Sequence, residues 1–330
     1  MRALVTGASG FVGGYLCEHL VAQGDLVVGI SLSGRWPAHL AHLKQSVRIE
    51  ACNLVETDEA ELTELLKRKQ PEVIYHLAAQ SNPHSSLKDP RGTWALNLGG
   101  TLNLLEAVKA AGLQPGPRVI LVSSGVVYGN PLPDDVPVRE SCPLRPTNPY
   151  AASKGAADLL GIQHALAFGT DVVIVRPFNH AGPRQSPTYV LAALARQVAE
   201  VEAERTSCVK VGNLDVVRDF TDVRDVVRAY RLLTQVGKSG EIYNLGTGQG
   251  TRLSDALNYL TSLSRRPVEV RVDPDRVRPV DQPLLVADAA KLRAATGWTP
   301  TFTIEQTLTD MLQSDREELA HAHVSQPSSS

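Results

Sequence analysis

Ala3-Leu4-Val5-Thr6-Gly7-Ala8-Ser9-Gly10-Phe11-Val12-Gly13 is the stretch on which the fold turns. A short apolar run leads into three glycines spaced Gly7-x-x-Gly10-x-x-Gly13. A helical stretch follows over 14–23, and Gly24 ends it. The pattern predicts a strand, a tight turn and a helix. Glycines let the backbone turn sharply and approach a pyrophosphate, whose charge the amino end of a helix favours. Ser9, Phe11 and Val12 lie in the same turn and are expected to join Gly7, Gly10 and Gly13 in holding a dinucleotide. A turn that merely packs a helix on a strand is the competing reading, and the rest of the chain argues against it.

Outward from this turn, apolar runs at 26–30, 47–51, 73–77, 118–122 and 171–175 alternate with helical stretches such as 59–70 and 98–111. That alternation predicts an α/β fold, a doubly wound parallel (Rossmann) sheet. Asn97 is expected to open the helix 98–111. The nucleotide-binding domain is expected to take residues 1–178 plus about 210–248. A smaller interleaved C-terminal substrate domain takes about 179–209 plus 249–320, and 321–330 reads as a polar, disordered tail.

The second informative stretch is Asn148-Pro149-Tyr150-Ala151-Ala152-Ser153-Lys154. Pro149 suits the first position of a helix, where its missing N–H is no loss. Tyr150 and Lys154 then stand at i and i+4 on one helix face. A free phenol titrates near pH ~10, and a nearby ammonium favours the phenolate, bringing the group towards use as a general acid.

Strand ends indicate the cofactor. An acidic residue after the second strand would bind the ribose hydroxyls of NAD. That place holds Ser31, with Ser33 and Arg35 beyond it, and hydroxyls with a guanidinium suit a 2′-phosphate. NADP(H) is therefore favoured, with NAD the alternative. After the fourth strand, Ala78 and Ala79 are small where a ribose must pass, and His76 reads as a packed residue.

Composition narrows the class. The chain has 330 residues, 43% of them hydrophobic, and a net charge of −2. Such a charge supplies no basic field for nucleic acid or an anionic membrane. No apolar run approaches the ~18 residues of a membrane span. The chain starts directly in a strand, so no signal peptide is expected. Cys17, Cys52, Cys142 and Cys208 contain no C-x-x-C pair, as expected of reduced thiols in a cytoplasmic enzyme, and no metal site is expected.

The glycine spacing and the tyrosine–lysine pair are those of the short-chain dehydrogenase/reductase superfamily. Further segments extend the likeness: Arg176-Pro177-Phe178-Asn179-His180, Gly212-Asn213-Leu214, Arg218-Asp219-Phe220-Thr221-Asp222-Val223, Tyr243-Asn244-Leu245-Gly246, Arg278-Pro279 and Thr296-Gly297-Trp298. From residue 4 to about 312 the chain resembles the extended members that act on nucleotide sugars, most closely the GDP-4-keto-6-deoxy-D-mannose reductases. The resemblance implies NADPH-dependent reduction of a C4 ketone, with GDP-D-rhamnose as product. Tyr150 would be the proton donor, Lys154 the ribose-binding cation that tunes it, and Ser124 the hydroxyl at the carbonyl oxygen. Asn53 and Leu54 would lie by the adenine, where relatives usually carry Asp-Leu. Leu77, Ala78 and Ala79 would line the cofactor, and Pro177 would lie by its carboxamide. Gln80, Ser124, Asn179, Arg218 and Arg278 would bind the nucleotide sugar. Helices 98–111 and 150–168 would pair with their copies in a homodimer.

Three rivals share the scaffold. A 4,6-dehydratase needs a glutamate at the place of Val126, which cannot transfer protons. A 4-epimerase uses the same triad with tightly held NAD. A non-catalytic NADP-binding sensor or scaffold would have no need of the intact Ser124, Tyr150 and Lys154.

Overall fold

The computed structural model describes residues 1–276 and 283–324. Its main sheet comprises β1 (Arg2–Thr6), β2 (Leu26–Ser31), β3 (Arg48–Ala51), β4 (Val73–His76), β5 (Arg118–Val122), β6 (Val172–Pro177) and the strand Ile242–Leu245. Their spatial order is Ile242–Leu245, β6, β5, β4, β1, β2, β3, and every neighbouring pair is parallel. The first three strands step outward to one edge; β4 then returns to the other side of β1. This reversal opens a crevice at the carboxyl ends of β1 and β4, the usual ligand position in such sheets.

A parallel sheet covered on both faces needs apolar residues throughout, not alternating ones. All residues of β4 and β6 are buried accordingly. Along β1 the side chains alternate between two cores. Ala3 and Val5 join Leu16, Cys17 and Leu20 of helix α1 (Phe11–Ala22) and Val226, Tyr230 and Leu233. Leu4 joins Leu62 and Leu66 of helix α2 (Glu59–Lys69) and Leu104 and Leu105 of the helix Gly100–Ala111.

Two units divide the chain. The first contains Met1–Phe178, Val226–Leu245 and Ala287–Thr299; the second contains Asn179–Asp225, Gly246–Val286 and the chain from Pro300 onward. In the second, the strand Val217–Asp222 pairs with Asn179–Ala181, Gly250–Arg252 and Leu284–Leu285. Leu194, Val198, Leu257, Leu260, Leu308 and Leu312 supply much of its core.

The expected domain limits differ from these units. The return about 210–248 is narrower, because the strand Val217–Asp222 finds its partners in the second unit and only Val226–Leu245 joins the first. A further segment, Ala287–Thr299, also returns to the first unit; its Trp298 and Leu292 are buried in the core cluster on the α1 side of the sheet. The helix Ile304–Val324 extends four residues into the expected tail, of which 325–330 lie outside the described residues.

Asn97 also departs from expectation, since it opens no helix. Asp89 caps the run, its Oδ1 accepting from Gly92 N at 2.9 Å, with Pro90 in the first turn. Asn97 lies inside a π-helical segment, Ala95–Gly99, that joins this run to the helix Gly100–Ala111. Such widened turns often accompany functional sites.

At the glycine turn, Gly7 has φ +72°, a conformation side chains rarely accept. A Cβ on Gly13 would lie 2.2 Å from Gly7 O and 2.8 Å from Ala8 Cα, so only hydrogen fits there. Gly13→Ala is expected to lower the urea midpoint and to abolish NADPH binding, measured by nucleotide fluorescence. An alanine variant with parental midpoint and affinity would contradict this packing.

Candidate active site

The helix Pro149–Phe168 carries the tyrosine–lysine pair. Asn148 caps it, Oδ1 accepting from Ala151 N at 2.9 Å, and Gly169 ends it in the left-handed conformation. Tyr150 is 8% exposed and Lys154 4%. Lys154 Nζ donates to Val122 O at 2.7 Å, tying the helix to the end of β5, one residue before Ser123-Ser124. Burial lowers the Lys154 pKa to about 8, against an upward pull from the Asp158 carboxylate one turn further along the helix.

Ser124 starts a short 3-10 turn, Gly125–Tyr128, and its Oγ accepts from Val126 N at 3.4 Å. Phe178 packs against this turn: a Cβ on Gly125 would lie 2.6 Å from the Phe178 ring. A hydroxyl that accepts in this way can still donate its hydrogen elsewhere. Ser123 Oγ is buried and faces the Asp158 carboxylate.

Behind the pair stands an amide that the sequence reading missed in this role. The buried Asn97 accepts from Gln80 N at 2.8 Å and donates to Gln80 O at 3.1 Å and Ser153 Oγ at 3.0 Å. Ser153 in turn donates to Tyr150 O at 2.9 Å. One side chain thereby fixes the loop after β4 against the tyrosine helix. Gln80, expected at the substrate, spends its side chain on Asn82, donating to O at 2.8 Å and accepting from N at 3.1 Å.

His76 is wholly built in. Thr101 Oγ1 already donates to Asn97 O, so it accepts from His76 Nε2 at 3.0 Å; Thr6 Oγ1 then donates to Nδ1 at 2.8 Å. Burial, with the Lys154 charge second, holds this ring down to about 3, so it stays neutral and packed.

A dinucleotide fits the residues of the crevice. The α1 amino end begins at Gly10 without a side-chain cap and has no acidic residue in its first turn, an arrangement that suits a phosphate. A Cβ on Gly7 would lie 2.9 Å from Ala78 N, which brings the glycine turn against Leu77-Ala78-Ala79. After β2, Ser31 is buried and its Oγ accepts from Gly34 N at 3.1 Å, while Arg35 is exposed. An exposed guanidinium thus stands at this strand end, beside a loop that the Ser31 hydroxyl helps to hold. Asn53 Oδ1 accepts from Val55 N at 3.1 Å, and Leu54 is buried beside it.

Two expected substrate residues lie in the second unit. Asn179 pairs in register with Phe220, two residues along the strand from Arg218, whose Nη1 donates to Val217 O at 2.9 Å. Arg278 lies outside the described residues. Among the described residues there is no cluster that could hold a metal ion, and no helix long and apolar enough to cross a membrane.

A profile of the family described as GDP-mannose 4,6 dehydratase matches residues 4–311. The chain belongs to that family. It is an extended short-chain dehydrogenase/reductase, and such enzymes depend on NAD(P). The GDP-6-deoxy-D-mannose reductase of Pseudomonas aeruginosa is 36% identical, over 94% of this chain and 96% of that protein. The solved structure of RMD from Pseudomonas aeruginosa complexed with NADPH has a TM-score of 0.83 and 33% identity, covering 96% of this chain and 100% of that one. The UDP-glucose 4-epimerase of Thermus thermophilus, solved with NAD, has a TM-score of 0.84 and 29% identity, covering 96% and 99%.

A buried ammonium whose pKa is lowered weakens the fold at neutral pH. Below the folded value of about 8, the native state carries the full penalty of a buried charge. As pH rises from there towards the unfolded value near ~10.4, the unfolded chain holds more protons and the penalty fades. Lys154→Met is therefore expected to be more stable than the parent at pH 7, by about 1–3 kcal/mol, while losing turnover. Denaturant titrations at pH 7 and pH 10 check this; an advantage that grows with pH would contradict it.

Proposed function

We propose that the protein reduces the C4 ketone of GDP-4-keto-6-deoxy-D-mannose with NADPH, giving GDP-D-rhamnose. Near full-length likeness to the Pseudomonas reductase carries the reading. The chemistry the dinucleotide brings, when bound, is a hydride for C4. Tyr150 gives its phenolic proton to the oxygen as it becomes an alkoxide. Lys154 stabilises the phenolate left behind, and the Ser124 hydroxyl supports the developing oxyanion. Asn179, Arg218 and Arg278 are assigned to the nucleotide sugar, with an arginine fork suited to paired phosphate oxygens. Val126 stands where a dehydratase needs a carboxylate, so elimination of the C6 hydroxyl has no acid–base group. Arg35, exposed after β2, favours NADPH over NADH.

The active form is a homodimer located in the cytoplasm. Leu102, Leu159, Leu166 and Phe168, on the helices Gly100–Ala111 and Pro149–Phe168, are 41%, 64%, 81% and 50% exposed, which suits pairing with a second copy. The cysteines are free thiols, which suits a reducing compartment.

Incubation with GDP-mannose, a 4,6-dehydratase and NADPH, followed by product NMR, tests the activity. NADPH should disappear one-for-one with the 4-keto sugar, and Tyr150→Phe should slow turnover ~10²–10⁴-fold while still binding NADPH. Arg35→Ala should erase the preference for NADPH. Conversion of UDP- or GDP-hexoses into C4 epimers without added cofactor would establish an epimerase instead. For the dimer, Leu159→Asp with Leu166→Asp should give a monomer in sedimentation; an unchanged mass would reject the helix pairing.

A further inference from the structure

Lys154, Asp158 and Arg176 form a cluster of three buried charges, and the reaction as described uses only the first. Asp158, fully buried, stands one helical turn after Lys154 on the same face. Its Oδ2 accepts from Arg176 Nε at 2.8 Å, and both side chains are almost wholly excluded from water, 4% and 0% exposed. Its carboxylate also faces the buried Ser123 hydroxyl, which favours the ionised form. Arg176 immediately precedes Pro177 at the end of β6, and its Nη1 donates to Tyr128 OH at 2.8 Å. Tyr128, the last residue of the Ser124 turn, donates onward to Asn244 Oδ1 at 2.7 Å, and Asn244 N donates to Glu140 Oε1 at 2.8 Å. The guanidinium thus touches the tyrosine helix on one side and the Ser124 turn on the other.

We propose that Asp158 and Arg176 are positioning residues that act as a paired electrostatic setting for proton transfer. Asp158 holds the buried Lys154 charge in place, and Arg176 withdraws part of that carboxylate while fixing the Ser124 turn through Tyr128. The inference rests on the reading of Tyr150 as proton donor. A pair buried only for stability would be poorly chosen, since an apolar pair of similar volume is often as stable or more so.

Charge makes the two residues opposite in effect. With both ionised, Lys154, Asp158 and Arg176 sum to one positive charge. Without the carboxylate the cluster carries two, and every proton on Lys154 or Tyr150 is held less tightly. Without the guanidinium the cluster is neutral, and those protons are held more tightly. The sign is the same whichever of the coupled protons leaves first. Among the described residues, the cluster is also faced by His76 from β4, held neutral; Ser123 after β5; Tyr128, Glu140 and the Cys142 thiol on the far side of Arg176; and Tyr230, buried near Tyr150.

Two readouts test this. The first is Tyr150 ionisation, taken as the ultraviolet difference between each protein and its own Tyr150→Phe counterpart across pH. The second is the pH profile of kcat/KM with NADPH and GDP-4-keto-6-deoxy-D-mannose. Asp158→Asn should move the alkaline midpoint down by about one pH unit, and Arg176→Gln should move it up by about as much. The double variant, which leaves no lone buried charge, should return close to the parent. Midpoints that stay put while turnover falls uniformly would overturn the proposal, as would shifts of the same sign. Either single variant decides by its own direction. In the unaltered protein, the ¹³Cγ shift of Asp158 should read as ionised at pH 7, and a neutral carboxyl there would also overturn it. If the substrate assignment fails, the absorbance readout still gives opposite shifts when the proposal holds.

Discussion

A charged ammonium held where water does not reach is the constraint behind the rest of this active site. Lys154 can be buried because Val122 O accepts one of its hydrogens and the Asp158 carboxylate lies a turn away. Both supports depend on the helix Pro149–Phe168 lying against the carboxyl ends of β5 and β6. That position requires a close helix–sheet approach, which Gly161 provides: a Cβ there would lie 2.8 Å from Leu121 Cδ2. Backbone proximity, a buried cation and a usable phenol are one arrangement seen at three scales.

The same economy governs the cofactor crevice. The turn after β1 must pass close to the loop after β4, and Gly7 and Gly13 remove the atoms that would prevent it. Thr6 then bridges the two strand ends, donating to His76 and accepting from Ala78 N. A histidine in a cleft would ordinarily invite a catalytic role. Here both ring nitrogens are engaged by hydroxyls, and burial keeps the ring neutral.

The family relationship spans enzymes that reduce, dehydrate and epimerise, and the shared scaffold explains why. All are named for a nucleotide-linked sugar. What separates them lies in side chains and not in the scaffold. Fold likeness alone therefore leaves the reaction open.

Local chemistry was legible in the sequence. Gly7-x-x-Gly10-x-x-Gly13 specifies a turn through sterics alone, and Asn148-Pro149 specifies a helix start, so Tyr150 and Lys154 share a face wherever that helix lies. The uninterrupted Val and Ile runs likewise imply strands buried on both sides. Contacts distant in sequence were not legible. Asn97 read as a helix cap because its side chain commonly serves there, whereas an Asp-Pro eight residues earlier had already started the run. That the Ser31 hydroxyl also holds its own loop, through Gly34 N, had no signal in the sequence. Arg176 and Asp158 looked like one residue of a motif and one of a helix. Only folding brings β6 onto the tyrosine helix and turns them into a pair, because a charge removed from water must find its partner in space and not along the chain.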